Sequence, residues 1–201
     1  MAGHPGDAKP HNLNNLAYFI QCGGKDAAYK RNELARTWGE MLDKLEEENP
    51  GEYKHKWIVY PQHGHWMNLD CKQAIEWMAA NTRNPWPKKL NWFQDDVTHT
   101  RFAWLSNAAP KKNDLISATV LGNRITLESD NVSQITLRLS DQLLDLDKPV
   151  IVKDVAGNEL FHGTVKRSKQ AIETSLTQRL DTTTVATALL KIKLSDSVHA
   201  K

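Results

Sequence analysis

The sequence is poor in cysteine, since Cys22 and Cys71 are the only two among its 201 residues. Two cysteines that lie outside any Cys-x-x-Cys motif are too few for a disulfide framework or a structural zinc site. We therefore expect two buried free thiols, with a bridge between them as the alternative. The fold must then depend on a hydrophobic core, and a hydrophobic content of 40% is sufficient to bury one.

The sequence also lacks a surplus of charge of one sign. Residues 1–88 carry 11 Lys and Arg against 11 Asp and Glu, and residues 89–201 carry 15 against 13, so neither part is strongly basic. This balance argues against a nucleic-acid-binding surface. No run of about 18 apolar residues is present to span a membrane, and the N-terminus lacks the basic and then apolar pattern of a signal peptide. We expect neither nucleic acid nor membrane as a partner. The sequence does not indicate the cellular compartment of the protein.

A proline-containing segment at residues 82–87 divides the sequence into two parts with different patterns. Pro85 and Pro87 interrupt a helical pattern that proline cannot continue. We predict an α/β domain over residues 1–88 and a β-sandwich-like domain over residues 89–201.

The first part predicts a β-α-β unit followed by a second helix. Residues 16–22 and 56–60 have the apolar pattern of buried strands. Such strands should be parallel with a right-handed crossover, which places the loops that follow them at the same sheet edge. The first helix has apolar positions at helical spacing: Leu34, Trp38, Met41, Leu42 and Leu45. The second helix ends near Asn81 and is predicted to cover the sheet through the stripe Cys71, Ala74, Ile75 and Met78.

The second part has short β segments broken by turns, which is typical of a sandwich. Gly122 and Gly157 lie in predicted turns, because glycine tolerates positive φ. Residues 169–180 are predicted as a short helix, with Ile172, Leu176 and Leu180 spaced by four. The predicted strands are residues 90–94, 101–105, 116–120, 124–127, 135–139, 150–153, 159–165 and 185–194.

Two loop motifs follow the predicted strands of the first part: Gly-Gly-Lys-Asp at residues 23–26 and Gly-His-Trp at residues 64–66. A neutral imidazole acts as a general base only if an acceptor holds its other nitrogen, and a carboxylate on a neighbouring loop meets this need. Asp26 and His65 are therefore candidate catalytic residues, and we predict a hydrogen bond of roughly 2.6–3.2 Å between them. The three glycines fit the tight turns that such an approach needs. The alternative is that Asp26 caps the following helix and that His65 is an ordinary loop histidine.

The nucleophile that such a pair would serve is missing. No Gly-x-Ser-x-Gly motif, the strained turn that presents a catalytic serine, occurs in the sequence. We expect the chain alone to be inactive towards activated esters and unlabelled by a fluorophosphonate probe, because removal of the nucleophile costs on the order of 10⁶ in turnover.

Residues 1 to about 105 resemble the C-terminal end of an α/β-hydrolase of the esterase and prolyl-oligopeptidase-like type. The resemblance is carried by Gly-Gly-Lys-Asp-Ala-Ala-Tyr-Lys-Arg-Asn at residues 23–32, by Tyr-Pro-Gln-His-Gly-His-Trp-Met at residues 60–67, and by Met-Ala-Gly-His-Pro-Gly at residues 1–6, which is similar to the loop after the sixth strand. In that family the acid follows the seventh strand and the base follows the eighth, which implies these roles for Asp26 and His65.

The resemblance also implies a function. Because the triad order of the family is Ser, Asp, His, the serine is expected upstream of Met1. The chain would be the C-terminal segment of a serine hydrolase that acts on an ester or an amide and needs no cofactor. His65 would move the serine's proton, and Asp26 would orient His65. The tail, through residues 145–150, resembles a β-rich extension of some bacterial members, for which no activity is implied.

Other side chains are candidates for binding. Trp66 and His63 are candidate substrate-binding residues, and Trp86 could form a wall of the same region. His63 and His65, with His4 or Asp26 nearby, could instead supply ligands to a metal such as zinc, although no third ligand has suitable spacing.

The alternative function is a non-catalytic binding or interaction module, in which the β-domain contacts a glycan or a protein partner. A groove lined by Trp92 or Trp104 would support this alternative, because planar rings stack on sugar faces. Packing between the sheets is the other interpretation of these two side chains.

The unpaired edge of a two-stranded parallel sheet must be covered, because a single pair of strands is not stable alone. We expect either the β-domain or a second copy of the chain to cover it. A homodimer is the preferred arrangement, formed through edge strands or through the helix stripe of Leu34, Trp38 and Leu42.

Overall fold

A computed structural model describes residues 8–194 of the chain. The chain divides into two compact units, Met1–Arg83 and Asn84–Lys201, and the fold is mixed α/β with more sheet than helix. No helix among residues 8–194 is long and apolar enough to cross a membrane.

The first unit is built on two parallel strands with a helix between them. β1 is Tyr18–Gly23, α1 is Arg31–Glu48, β2 is His55–Tyr60 and α2 is Gln73–Ala79. The predicted parallel pairing is confirmed, since Tyr18 pairs with His55 and the register continues to Gly23 and Tyr60. The predicted first strand begins too early, because Leu16 is 44% exposed and precedes β1.

The core of the first unit lies between α1 and the two strands. Its buried side chains come mainly from β1 and α1, and Ala35, Trp38 and Leu42 are the α1 residues that face it. The predicted apolar stripe of α1 is therefore the face that packs on the sheet. A dimer interface through Trp38 and Leu42 is ruled out by their burial, which corrects that part of the expectation.

The apolar stripe predicted for the second helix does not pack as expected. Ile75 is 67% exposed and Met78 is 59% exposed on α2. The contact with the sheet comes from Trp77, whose ring lies edge-on to Phe19 of β1 with 5.4 Å between the centroids. α2 has seven residues and therefore only about two turns. The packing of the single large side chain of Trp77 against Phe19 can therefore set which face of α2 contacts the sheet.

Over residues 84–194, the second unit is formed by two sheets and one α-helix. The strands are β3 (Lys89–Phe93), β4 (Arg101–Phe102), β5 (Leu105–Ser106), β6 (Leu115–Leu121), β7 (Arg124–Asp130), β8 (Gln134–Leu139), β9 (Val150–Asp154), β10 (Glu159–Gly163) and β11 (Ala188–Lys193). One sheet has the order β10-β9-β7-β6-β3 and the other has the order β11-β8-β5-β4, and side chains from both form a single core. The helix is α3 (Lys169–Arg179).

Most of the predicted β segments correspond to one strand each, with one exception. The predicted continuous strand at residues 101–105 is wrong, because Ala103 has a φ of 46° and the chain turns there between β4 and β5. The predicted turns at Gly122 and Gly157 are confirmed, with φ values of 58° and 91°.

The helix predicted at residues 169–180 is present as α3. Ser168 caps it by accepting a hydrogen bond from the Ala171 N–H at 3.1 Å. Its buried residues are Ala171 and Ser175, and the apolar positions spaced by four lie on its more exposed side. Leu180 is 88% exposed.

Candidate active site

Two loops meet where β1 and β2 end. The Gly24 N–H donates to the Tyr60 carbonyl at 2.7 Å, and the Lys25 N–H donates to the His63 carbonyl at 2.9 Å. Because the strands are parallel, both loops leave the sheet at the same edge. The main-chain bonds then hold the loop that carries Asp26 against the loop that follows β2.

Two glycines allow this close approach. A Cβ at Gly23 would lie 1.9 Å from the Gly64 carbonyl oxygen, and a Cβ at Gly24 would lie 2.9 Å from the Pro61 Cα. Glycine is therefore needed at both positions because a side chain would collide with the neighbouring loop, and not because the backbone has a positive φ. Gly64 does not share this role, because a Cβ there would meet no atom within 4 Å.

Asp26 and His65 form the predicted hydrogen bond. His65 Nδ1 lies 2.9 Å from Asp26 Oδ2, and Arg31 Nη1 donates to Asp26 Oδ1 at 2.7 Å. The hydrogen bond with His65 is the largest cause that lowers the pKa of Asp26 below its usual value, and the hydrogen bond from Arg31 is the second. The pKa is lowered although the side chain is only 6% exposed. The carboxylate is thus ionised at neutral pH and accepts hydrogen bonds only. In neutral His65 the proton therefore lies on Nδ1, and Nε2 keeps its lone pair.

The second ring nitrogen of His65, Nε2, is free to accept a proton. The His65 side chain is 58% exposed, and no side chain or main-chain group among residues 8–194 forms a hydrogen bond with its Nε2. The imidazole is held on one side by a buried carboxylate and can accept a proton on the other. This is the arrangement that a general base needs.

His55 shows by contrast why a carboxylate partner alone does not make a base. Its Nε2 lies 3.0 Å from Asp43 Oδ1, and its Nδ1 lies 2.9 Å from the Tyr53 carbonyl. The side chain is 3% exposed, and both ring nitrogens are occupied. His55 therefore fixes the start of β2 to α1 and has no nitrogen left for a substrate.

Arg31 is the site residue that the sequence did not reveal. It begins α1 and reaches back to Asp26 because Tyr29 and Lys30 both adopt left-handed backbone conformations, with φ of 52° and 55°. Two successive left-handed residues are costly for side chains other than glycine. The sequence shows only a basic residue five positions after the acid, and that spacing does not by itself predict a contact.

The capping alternative for Asp26 is wrong. Lys30 is the residue that precedes α1, and it provides no side-chain cap. The Asp26 carboxylate instead accepts from the side chains of Arg31 and His65.

His63 points to a different partner from His65. Its Nε2 lies 2.8 Å from Asp70 Oδ2, and its ring is edge-on to Tyr60 with 5.5 Å between the centroids. These contacts tie the loop after β2 to the segment before α2. Within residues 8–194, no group of three or more His, Cys, Asp and Glu side chains could hold a metal ion.

Trp66 is the aromatic residue beside the candidate base. Its indole is 83% exposed, and its centroid lies 5.7 Å from that of the His65 ring at an interplanar angle of 77°. Trp86 does not form a wall there. It is 5% exposed in the core of the second unit, where its Nε1 donates to the Thr183 carbonyl at 3.0 Å.

The two tryptophans proposed for a glycan groove are buried. Trp92 is 2% exposed and stacks on Phe102, and Trp104 is 1% exposed and donates to the Pro87 carbonyl at 2.8 Å. Neither ring presents a face to solvent, so the groove that would support a glycan-binding module is not formed by them.

The first unit contains no serine that could act as a nucleophile at the site. Residues 1–83 contain none, and the first serine of the chain is Ser106 in the second unit. Both cysteines are free thiols, but Cys22 is buried, and burial followed by the nearby Asp26 carboxylate raises its pKa. A raised pKa lowers the thiolate fraction, so Cys22 is a poor nucleophile. Cys71 is half-buried rather than buried as expected.

No known protein family, curated protein or solved structure matches the chain.

Proposed function

We propose that the chain is the C-terminal segment of a serine hydrolase that acts on an ester or an amide, with residues 1–88 as part of an α/β-hydrolase domain. The observation that supports this most strongly is the 2.9 Å contact between a buried, ionised Asp26 and an exposed His65 whose Nε2 is open. A helix separates the two residues in sequence, and parallel strands bring them to one edge.

The proposed chemistry assigns one step to each side chain. His65 Nε2 accepts the proton of an attacking serine hydroxyl and then delivers it to the leaving alcohol or amine. Asp26 keeps the ring in the Nδ1–H form and stabilises the imidazolium once it forms. Arg31 is a positioning residue, because it donates to the second oxygen of Asp26 and acts on His65 through that carboxylate.

The nucleophile and the oxyanion hole would be supplied from outside this sequence, in the Ser, Asp, His order of the resemblance. The chain by itself is then expected to be catalytically silent. Trp66 would contact a substrate at His65, because its ring lies beside the imidazole, while His63 holds the loop through Asp70.

Fluorophosphonate labelling tests the proposal. The natural reading frame is extended upstream of Met1, and the longer protein is treated with the probe alongside the 201-residue chain. We expect one serine upstream of Met1 to be labelled in the longer protein, no serine to be labelled in the shorter chain, and His65→Ala to abolish the labelling.

Arg124→Gln serves as the matched control, since this exposed arginine lies on β7 of the second unit and should leave labelling unchanged. Stoichiometric labelling of the 201-residue chain, or full labelling of the His65→Ala protein, would refute the proposed role of His65.

A further inference from the structure

A buried arginine in the second unit lacks a counterion. Arg138 on β8 is 4% exposed, and its Nη2 donates to Ser175 Oγ at 3.2 Å. Its Nη1 is buried and has no hydrogen-bond partner among residues 8–194, and no described carboxylate forms an ion pair with it. An unsatisfied charged donor in the interior is costly, and proteins normally compensate it with an anion.

Further positive charge surrounds Arg138. Burial, and then the nearby guanidinium groups of Arg179 and Arg101, lower the pKa of Arg138 to about 10. The group therefore stays protonated at neutral pH. Arg101 lies on β4, and its Nη1 donates to Gln178 Oε1 of α3 at 3.0 Å. Positive charges that lie close together favour the binding of an anion near them.

The strand register brings hydroxyl groups into the same area. Arg101 pairs with Ser106 across β4 and β5, and Ser106 pairs with Thr136 across β5 and β8. Arg138 follows two residues after Thr136, so its side chain lies on the same face of the sheet. A cavity of about 250 Å³ opens beside Arg101, lined by Thr100, Arg101, Ser106, Asn107, Thr136 and Gln178. Arg138 is not part of this lining and lies two residues along β8 from Thr136.

We propose that this face binds a phosphate-type oxyanion. Arg101 supplies the charged donor in the cavity, and the hydroxyl groups of Ser106 and Thr136 supply further donors. The buried charge of Arg138, which has no ion-pair partner among the described residues, makes this region more positive without lining the cavity. Donors that converge from β4, β5 and β8 suit a group with oxygens in several directions better than a planar carboxylate, and guanidinium groups pair well with phosphate oxygens. The ligand is either free inorganic phosphate or the phosphoryl group of a small organic molecule. The site lies wholly within the second unit and does not depend on the role of His65.

Titration of the ¹⁵N-labelled chain with inorganic phosphate, at constant ionic strength and pH 7, tests the proposal. We expect saturable amide shifts confined to the lining residues, with the largest at Ser106 and Thr136. Arg101→Gln should weaken the binding by about tenfold or more, because it removes one charge-assisted contact. Arg101 is used because its side chain is half-buried, whereas replacement of the buried Arg138 could disturb the fold.

Arg124→Gln is the charge-matched control, since Arg124 is exposed on β7 in the other sheet. It should keep the phosphate affinity of the unmodified chain. Sulfate should compete with phosphate, and acetate should not. Phenyl phosphate binding more tightly than inorganic phosphate would identify a phosphoryl-bearing ligand, and equal or weaker binding would identify free phosphate. Equal weakening by both substitutions, shifts spread over all basic regions, or no saturable shift would overturn the proposal.

Discussion

At the residue scale, two hydrogen-bond donors stabilise the negative charge of Asp26. His65 donates to one carboxylate oxygen and Arg31 donates to the other. The carboxyl is nearly inaccessible to water, yet its pKa is lowered, so the two hydrogen bonds outweigh the cost of burial. Because its pKa is lower in the folded than in the unfolded state, ionised Asp26 stabilises the fold above the unfolded value of about 3.9. This contribution is lost as the pH falls through the lower, folded pKa.

Replacement of Arg31 should raise the pKa of Asp26. In Arg31→Met the carboxyl loses one hydrogen bond and the nearby positive charge, but it keeps the contact with His65, which is the larger cause of the shift. The midpoint should therefore move upward and remain below the reference value. Carbon-detected NMR titration of the carboxyl groups measures it. Arg36→Met, on the exposed side of α1, should leave the midpoint unchanged, and equal effects of the two substitutions would contradict the assigned role of Arg31.

Substitution of Gly23 should separate the two loops, whereas substitution of Gly64 should not. Gly23→Ala would place a Cβ 1.9 Å from the Gly64 carbonyl, and the backbone must move to relieve this contact. We expect a loss of about 2–3 kcal/mol in the free energy of unfolding of the first unit. Gly64→Ala meets open space and should change it by less than about 0.5 kcal/mol. Urea unfolding followed by NMR in each unit checks both values, and similar losses would contradict the argument.

At the element scale, α1 fits closely against β2. Gly39 lies in the middle of α1, and a Cβ there would lie 2.3 Å from Cδ2 of Trp57. The Trp57 indole also donates to Asp43 Oδ2 of α1 at 3.0 Å, so the ring has little freedom to move. α1 and β2 can therefore pack this closely only because residue 39 is a glycine and has no side chain.

Gly39→Ala should destabilise the first unit although alanine favours helix. The propensity gain is about 1 kcal/mol, and the overlap with Trp57 should exceed it by about 1–2 kcal/mol. Thr37→Ala, on the exposed side of α1, is the control and should be neutral or slightly stabilising. Thermal unfolding of the two variants distinguishes the effects. A Gly39→Ala protein more stable than the parent would show that the α1–β2 contact is looser than described.

The sequence predicted the elements better than it predicted their contacts. Periodicity located α1, and alternation located most strands of the second unit, because both signals are local. The exposure of Ile75 and Met78 was not predictable, since it depends on Trp77 and not on the number of apolar residues in α2. The break at Ala103 was missed because alanine gives no signal of a positive φ.

The same limit applies to the candidate site. Asp26 and His65 could be predicted because parallel strands bring their loops to one edge. Arg31 could not be predicted, because its contact depends on two successive left-handed residues, neither of which is glycine. The oxyanion site on β4, β5 and β8 depends on strand register and on α3, and no short motif encodes either.

At the scale of the whole molecule, the first unit is left with a two-stranded sheet and an exposed apolar surface. No third strand pairs with β1 or β2 among residues 8–194. On and beside α2, the exposed apolar side chains are Trp66, Leu69, Ile75 and Met78. Such a combination is expected to be covered by another polypeptide surface.

We predict that the chain forms a homodimer that uses the β1 edge or the α2 surface. Sedimentation equilibrium should give twice the chain mass, and the double substitution Ile75→Glu with Met78→Glu should shift the equilibrium to monomer. Leu121→Glu is the control, because Leu121 is 81% exposed in the second unit. A monomer at all accessible concentrations, with the main chain of β1 exchanging hydrogen freely, would show that no such cover exists.

The most direct test of the central claim is the protonation pattern of the His65 ring. Long-range ¹H–¹⁵N NMR of the histidine-labelled chain, at a pH where the ring is neutral, reports which nitrogen carries the proton. We expect a protonated Nδ1 and an unprotonated Nε2 in the parent chain, and loss of this preference in Asp26→Asn. A protonated Nε2, or a pattern unchanged by Asp26→Asn, would show that Asp26 does not hold His65 as a base.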